Sequence, residues 1–402
     1  MRKHFSLLLC AIAAVWMAAV PIASAETIRE MQQWYLDAVQ ALQAQAITKG
    51  AGVVVAVVDT GIDAGHPDLA GAILPGKSFT GSDDSLQNDS YNGHGTKMSA
   101  VIAARGGGYN NALGIAPAAS ILPVAISFGS NAASIAEPIR WAADHSAKII
   151  NLSVDRRAGQ PLEPGEADAI AYAQSKDVVV VVAAGNIAES PNGNQLARLP
   201  GVVAVSGTTQ GDTLWSGSAQ GDYVDIAAPG KGIVNAGARM VHSTGYATGD
   251  GTSESAAIVS GVLALIRAKH PDFDAANAIN QLIQTADDKG APGRDNLYGY
   301  GRVNAYRAVT ETVAKVTTNP LGEAKSAAKS STTTTSTPAS AKHSGSAAAI
   351  LVPILFWLAV IALIWWRIRA RKKKKLGAQT TNSSDYRTPP PTITPGSPPS
   401  QQ

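Results

Sequence analysis

The chain has 402 residues, 45% of them apolar and 38 of them glycine, enough to bury a sizeable core in one large domain with appendages. Its formal charge of +3 says little about partners, because Arg2, Lys3 and seven residues from Arg367 to Lys375 carry nine of the 33 basic side chains, leaving 24 against 30 acidic ones. Nucleic-acid binding loses its electrostatic support on that count, and a single cysteine, Cys10, excludes disulfides and a cysteine-based metal site from the folded part.

The chain opens with Arg2-Lys3, an apolar stretch from about Phe5 to Val20, Pro21 and the small-residue run Ala23-Ser24-Ala25. This is the layout of a secretory signal peptide, residues 1–25, cut before Glu26; an uncleaved anchor is the alternative. Cys10 follows Leu9 rather than a small residue, which argues against lipid attachment. Residues 26–312 then read as one globular unit. Its β-branched runs Val53–Val58, Ile149–Leu152, Val178–Val182 and Val202–Val205 alternate with Ala-rich helical stretches around 96–104, 132–145, 165–175 and 253–269. Near-continuous apolar strands between helices predict an α/β fold, a mostly parallel sheet with helices on both faces. Catalytic groups of such sheets gather at the carboxyl ends of the strands.

Beyond the globular unit, residues 313–346 turn to Ala, Ser, Thr and Lys with little to bury, including Thr332-Thr333-Thr334-Thr335, and predict a disordered stalk. As a flexible coil it would reach roughly 30 Å. From Ala347 to Trp366 no residue is charged, and a helix of that length spans about 30 Å, enough for a C-terminal transmembrane helix. Trp357, Trp365 and Trp366 suit its interfaces, and the basic flank from Arg367 to Lys375 places the Pro/Thr/Ser-rich tail (367–402) in the cytoplasm and residues 26–346 outside. A buried core helix is the weaker alternative, since nothing foldable follows it.

Three segments of the globular unit carry chemistry. Val53–Asp59 runs into Thr60-Gly61-Ile62-Asp63, so the Asp59 carboxylate sits where a strand ends and the chain turns; alone, such an aspartate is as readily structural. Asn92-Gly93-His94-Gly95-Thr96 enters a helix, and glycines on both sides let backbone and substrate approach the imidazole. A satisfied histidine in a tight turn fits the same residues. Gly249-Asp250-Gly251-Thr252-Ser253 opens an apolar helix that runs to about Lys269 and is stopped by Pro271. A serine there presents its hydroxyl where helix N–H groups favour negative charge, although plain N-capping explains a serine equally well.

Taken as an ordered set, these motifs resemble the subtilase family: Asp59-Thr60-Gly61, Gly93-His94-Gly95-Thr96 and Gly251-Thr252-Ser253. The likeness extends through His66-Pro67-Asp68-Leu69, Gly114-Ile115-Ala116-Pro117, Ala183-Ala184-Gly185-Asn186, Ala228-Pro229-Gly230 and Gly299-Tyr300-Gly301, almost all of 34–310. The resemblance implies a serine endopeptidase in which Ser253 attacks a peptide carbonyl, His94 carries the proton and Asp59 holds the imidazole tautomer. It implies Asn186 as oxyanion donor, and Ser127-Phe128-Gly129 with Leu152-Ser153-Val154 as segments that pair with an extended polypeptide substrate. It calls for no cofactor and no metal.

The chain departs from the family at Glu254, Ser255 and Ala257, where an apolar residue, a small one and a proline are common. A carboxylate about 6 Å from a developing oxyanion opposes it by roughly 3 kcal/mol at an effective dielectric near 20. Because adjacent helix residues point about 100° apart, Glu254 is expected to face away, with activity retained. The stretch between Ala25 and Asp59 leaves no room for a large inhibitory, chaperone-like propeptide; either folding needs no such helper, or Glu26–Gly50 wraps the domain without masking the site. That short stretch with Trp34-Tyr35-Leu36-Asp37, the stalk, the span and the basic flank is similar to the mycosins, subtilases of type VII secretion systems, although the absence of cysteine departs from disulfide-stapled members. The resemblance implies a type VII membrane complex as partner. A structural role, capping or bracing such a complex with proteolysis secondary, is the rival reading. Asp83, Asp84 and Asp89 offer hard oxygen ligands for calcium, but without EF-hand-like spacing a solvated loop is the expectation. His66 reads as structural in its turn, and His145, His242 and His270 have no evident partner.

Overall fold

The computed structural model describes residues 26–82, 89, 92–128, 133–154 and 161–324. The valine run predicted as the first strand forms β1 (Val54–Asp59), entered from a turn in which Gly50 and Gly52 both have positive φ. It lies near the centre of a seven-stranded parallel sheet in the order β2-β3-β1-β4-β5-β6-β7. The other members are β2 (Lys77–Ser78), β3 (Ser120–Ala125), β4 (Ile149–Leu152), β5 (Val179–Ala183), β6 (Val203–Thr208) and β7 (Ile226–Pro229).

Alternate residues of each strand feed two cores. Val55 and Val57 of β1 join one hydrophobic cluster and Ala56 and Val58 the other. The second cluster is covered by α4 (Ala136–Asp144) and α5 (Glu166–Ser175). The first is covered by α3 (His94–Ala103), α7 (Ala275–Gln284), α8 (Ala305–Thr310) and α6 (Thr252–Lys269). Helix α6 is buried from Thr252 to Arg267, which explains why its sequence is apolar almost all round. The predicted α/β class, with helices on both faces of a parallel sheet, describes this architecture. An antiparallel hairpin, β8 (Lys231–Ala236) with β9 (Tyr246–Asp250), leads directly into α6.

The N-terminal stretch wraps the domain. Helix α1 (Ile28–Ala38) starts at a capping box in which the Thr27 N–H donates to Glu30 Oε2 (2.7 Å) and the Glu30 N–H to Thr27 Oγ1 (3.3 Å). Its inward face pins a loop and strand β8: Gln32 Oε1 accepts from the Leu113 N–H (2.9 Å), and the Tyr35 hydroxyl donates to the Val234 carbonyl (2.9 Å). The short α2 (Ala41–Gln45) follows.

At the other end, the boundary read at 312 falls too early. Residues 313–324 form a strap on the domain: the Val316 N–H donates to Asn277 Oδ1 (2.9 Å), the Gly201 N–H to the Leu321 carbonyl (2.9 Å) and the Ala324 N–H to Gln174 Oε1 (3.1 Å). Leu321 packs on the first core. Polar composition suggested a stalk here because the strap is held mainly by backbone and amide hydrogen bonds, which leave little hydrophobic pattern. The predicted signal peptide (1–25), the rest of the stalk, the span at 347–366 and the tail lie outside the described residues. Among those described, no helix is long and apolar enough to cross a membrane.

Candidate active site

The carboxyl ends of β1, β4 and β5 converge with the start of α6. Asp59 ends β1 and is 1% exposed. His94 is the first residue of α3, presented by a left-handed Gly93 at φ 60° that offers no side-chain cap. His94 Nδ1 stands 2.8 Å from Asp59 Oδ1 and 2.9 Å from Oδ2. A carboxylate there fixes the proton on Nδ1, leaving Nε2 to accept one from a nucleophile. Burial disfavours the imidazolium, but the charge and hydrogen bond of Asp59, joined by the charge of Glu254, outweigh it and hold the His94 pKa above its ordinary value.

Ser253 is the second residue of α6 and lines the same cleft, of about 510 Å³, as His94. Capping does not account for it: Gly251, not Ser253, is the N-cap residue, and it makes no side-chain cap. The Ser253 hydroxyl donates to the Ser153 carbonyl (3.1 Å), while the Ser153 hydroxyl donates to the Ser253 carbonyl (3.1 Å). Among the described residues, no hydrogen bond joins Ser253 to His94.

Asn186 follows β5 through Gly185, whose φ of 109° turns the chain into the cleft. Its Oδ1 accepts from the Thr252 N–H (3.0 Å) and the Thr252 hydroxyl (3.1 Å), and the Gly185 N–H donates to Thr252 Oγ1 (3.1 Å). This lock orients the carboxamide, whose Nδ2 donates to Glu189 Oε2 (3.2 Å).

The two substrate segments fare unequally. Phe128 lines the cleft, its ring centroid 6.5 Å from that of His94, and Ser153 lines it as well. Leu152 and Val154 are 0% and 7% exposed in the second core, so their side chains are unavailable to a substrate and only their backbone is left for pairing. Ser127 is half-buried beyond β3, and Gly129 lies outside the described residues.

Glu254 departs from expectation. It does not face away: it is 3% exposed and lines the cleft beside Ser253. A first-turn position on a surface helix has solvent to turn to, whereas α6 is enclosed on every side. Space opens only over Gly249 and Gly251, where an added Cβ would collide with the Glu254 carboxylate. Burial pushes the Glu254 carboxyl up, with the charges of His94 and Lys97 acting in the opposite direction. Lys97, one turn along α3 from His94, is itself buried and lines this cleft with His242.

Sequence reasoning missed Lys97, His242 and Asp89. Asp89 is fully buried rather than in a solvated loop, and its one sequence signal is that it precedes His94 by five residues. Asp83 and Asp84 lie outside the described residues, among which no group of three or more acidic, His or Cys side chains is placed to hold a metal ion. His66 is structural as read, accepting from the Asp68 N–H through Nδ1 (3.1 Å) with Nε2 2.8 Å from the Gly245 carbonyl. His145 and His270 stack on Trp141 and Phe273.

Comparison with known proteins matches the geometry. Residues 50–301 match the family described as the subtilase family. The chain is 37% identical over 281 residues to thermitase of Thermoactinomyces vulgaris, covering 69% of this chain and 96% of thermitase. It is 37% identical over 284 residues to subtilisin Savinase of Lederbergia lenta, covering 68% and 97%. Among solved structures, MycP1 with its N-terminal propeptide removed superposes with a TM-score of 0.61 at 28% identity, covering 73% of this chain and 99% of that one. The MycP3 protease of the type VII (ESX-3) secretion system gives 0.60 at 27%, covering 72% and 90%.

Proposed function

The chain belongs to the subtilase family of serine proteases, and from that footing we propose that Asp59, His94 and Ser253 are its catalytic triad and Asn186 its oxyanion donor. The observation that carries this is the Asp59 carboxylate held 2.8 and 2.9 Å from His94 Nδ1 at the edge of the cleft that Ser253 lines. Substrate binding draws the Ser253 hydroxyl from the Ser153 carbonyl to His94 Nε2, a change between staggered rotamers. His94 takes the hydroxyl proton as Oγ attacks the peptide carbonyl, and returns it to the leaving amine. Asn186 Nδ2 exchanges Glu189 for the developing oxyanion, with the Ser253 N–H as second donor; losing such a donor lowers turnover by about 10²–10³. Catalytic hydrogen bonds of this kind tighten only when substrate is present. Phe128 and the backbone at 152–154 flank the extended substrate.

A fluorophosphonate probe on the full-length protein tests the assignment. The wild type labels and Ser253→Ala does not; equal labelling of both removes Ser253 as nucleophile.

We further propose that the protease is secreted, anchored by one span at 347–366 with the basic flank inside, and serves type VII secretion. Support comes from the uncharged stretch and its Arg/Lys flank, and from likeness to MycP1 and MycP3, proteases of type VII systems. Protease added to intact cells should release the domain and spare the tail; loss of the tail instead reverses the orientation. The Ser153 grip on the Ser253 hydroxyl favours a second reading, in which the domain braces a secretion complex. If so, Ser253→Ala restores secretion to a deletion strain; failure at normal abundance rejects a purely structural role.

A further inference from the structure

Helix α3 begins at His94 without a cap of its own, so its first N–H groups need acceptors from elsewhere. Two side chains supply them. Thr60 Oγ1 accepts from the Gly95 N–H (2.9 Å), and Asp89 Oδ2 accepts from the Thr96 N–H (2.7 Å) and the Thr96 hydroxyl (2.8 Å). The same two residues are joined, because Asp89 Oδ1 lies 2.6 Å from the Thr60 hydroxyl. Thr60 is the residue after Asp59, and its backbone N–H donates to Asp59 Oδ1 (2.8 Å). One buried carboxylate thus ties the end of the strand that carries Asp59 to the start of the helix that carries His94.

Thr60 has one hydroxyl proton and two carboxylates within reach: Asp89 Oδ1 at 2.6 Å and Asp59 Oδ1 at 3.2 Å. A hydroxyl donates once, and the shorter contact to a fully buried carboxylate takes it. Asp59 Oδ1 is thereby spared a third donor and keeps its basicity for His94 Nδ1. We propose that Asp89 is a positioning residue for the reaction, setting the Asp59–His94 geometry and steering the Thr60 proton away from Asp59. Burial and the nearby Asp59 charge hold the Asp89 carboxyl above its ordinary value, against the Thr60 and Thr96 hydrogen bonds that pull it down. The proposal rests on Asp59 and His94 being the catalytic pair.

In Asp89→Asn the shape is kept, the amide oxygen still accepts from Thr96, and the amide nitrogen faces the Thr60 oxygen. The Thr60 proton then turns to Asp59. An Asp59 carboxylate with that extra donor holds the imidazolium less strongly, so the His94 pKa falls; Lys97 and Glu254, the other charged groups facing His94, are unchanged.

The test uses the full-length protein that labels with fluorophosphonate; failure of the wild type to label is failure of the catalytic reading, not of this one. Asp89→Asn should lower kcat by about 10- to 100-fold, the scale of a misplaced catalytic group, at unchanged KM. It should also move the acid limb of kcat/KM to lower pH and shift the downfield His94 Nδ1 proton resonance. In a Thr60→Val background, with no hydroxyl proton to redirect, Asp89→Asn should leave the acid limb where Thr60→Val alone puts it. Lost thermal stability with wild-type kcat and pH profile reduces Asp89 to a helix cap and overturns the proposal. Should Asp89→Asn not fold, Thr60→Val carries the test, since it cuts the same tie; wild-type kcat there is equally fatal.

Discussion

Replacing Glu254 by glutamine removes one buried charge from the cleft and changes little else. The carboxylate accepts no hydrogen bond from another described residue, and the charges facing it are those of His94, Lys97 and Asp250. Two unit charges on the order of 7 Å apart interact by about 2 kcal/mol at an effective dielectric near 20. Lys97 acts on His94 in both proteins and cancels from the comparison, so losing the Glu254 charge costs the imidazolium about 2 kcal/mol, roughly 1.5 pH units. The sign follows from the base: His94 must be neutral to take the serine proton, and Glu254 raises its pKa. Glu254→Gln therefore lowers that pKa and moves the acid limb of kcat/KM to lower pH by roughly 1.5 units. On the plateau, kcat rises a few-fold, because a charge opposing the oxyanion is gone. The assay is a full pH profile of kcat and KM with an internally quenched peptide. A limb that stays put, or moves upward, refutes the coupling and means that Glu254 stands neutral beside His94.

Other consequences are independent of that one. Asp59→Asn leaves the His94 ring in place but removes the carboxylate that fixes the proton on Nδ1 and stabilises the imidazolium, and kcat should fall by about 10⁴ as in triads of this kind, with KM nearly unchanged; a loss under tenfold separates Asp59 from the chemistry. Burial raises the Asp225 carboxyl to about 6, against the Ala204 N–H and the Arg294 guanidinium. A raised folded pKa gives stability that is full below the unfolded value and lost as pH rises through about 6. Relative to Asp225→Asn, the wild type should therefore gain on going from pH 7 to pH 4, by at most about 3 kcal/mol, in urea midpoints read at each pH; a constant difference refutes it. Ending the chain at 312 instead of 324 strips the strap and its Leu321 contact, which should lower stability by about 2 kcal/mol at nearly unchanged urea slope.

The strands legible in the sequence were those whose residues are apolar on both faces, because a sheet sandwiched between helices leaves that mark. Val53–Val58 and Val178–Val182 announced β1 and β5 within a residue. Strand β3, Ser-Ile-Leu-Pro-Val-Ala, escaped notice although it pairs with β1 along its whole length. A proline inside an apolar run argues against a central strand, yet Pro123 sits in the sheet interior as the register partner of Val57. Helices α1 and α7 were missed for a related reason. They carry Asn and Gln on buried faces, where Gln32, Asn277 and Gln281 bond backbone carbonyls and amides of neighbouring segments. A periodicity of apolar residues cannot register a core contact made by an amide.

At the site, the ordered motifs and the family resemblance pointed to Asp59, His94, Ser253 and Asn186 as candidates, but they carried no information on which way a neighbour points. Glu254 shows the limit. Reasoning from a single helix gave it a solvent direction, which exists only if one face of the helix is free; α6 has none, and two glycines on the preceding segment decide where the carboxylate goes. Asp89 shows the complement, since an aspartate in a polar stretch reads as solvated until the orphan N–H groups at the start of α3 are counted. Both corrections come from asking where buried polar groups find partners. That question links the two residues through His94: Asp89 acts on Asp59 from behind the pair, Glu254 acts on the imidazole from the cleft. Their effects on the acid limb should therefore add in Asp89→Asn/Glu254→Gln, because neither residue bonds the other's partner.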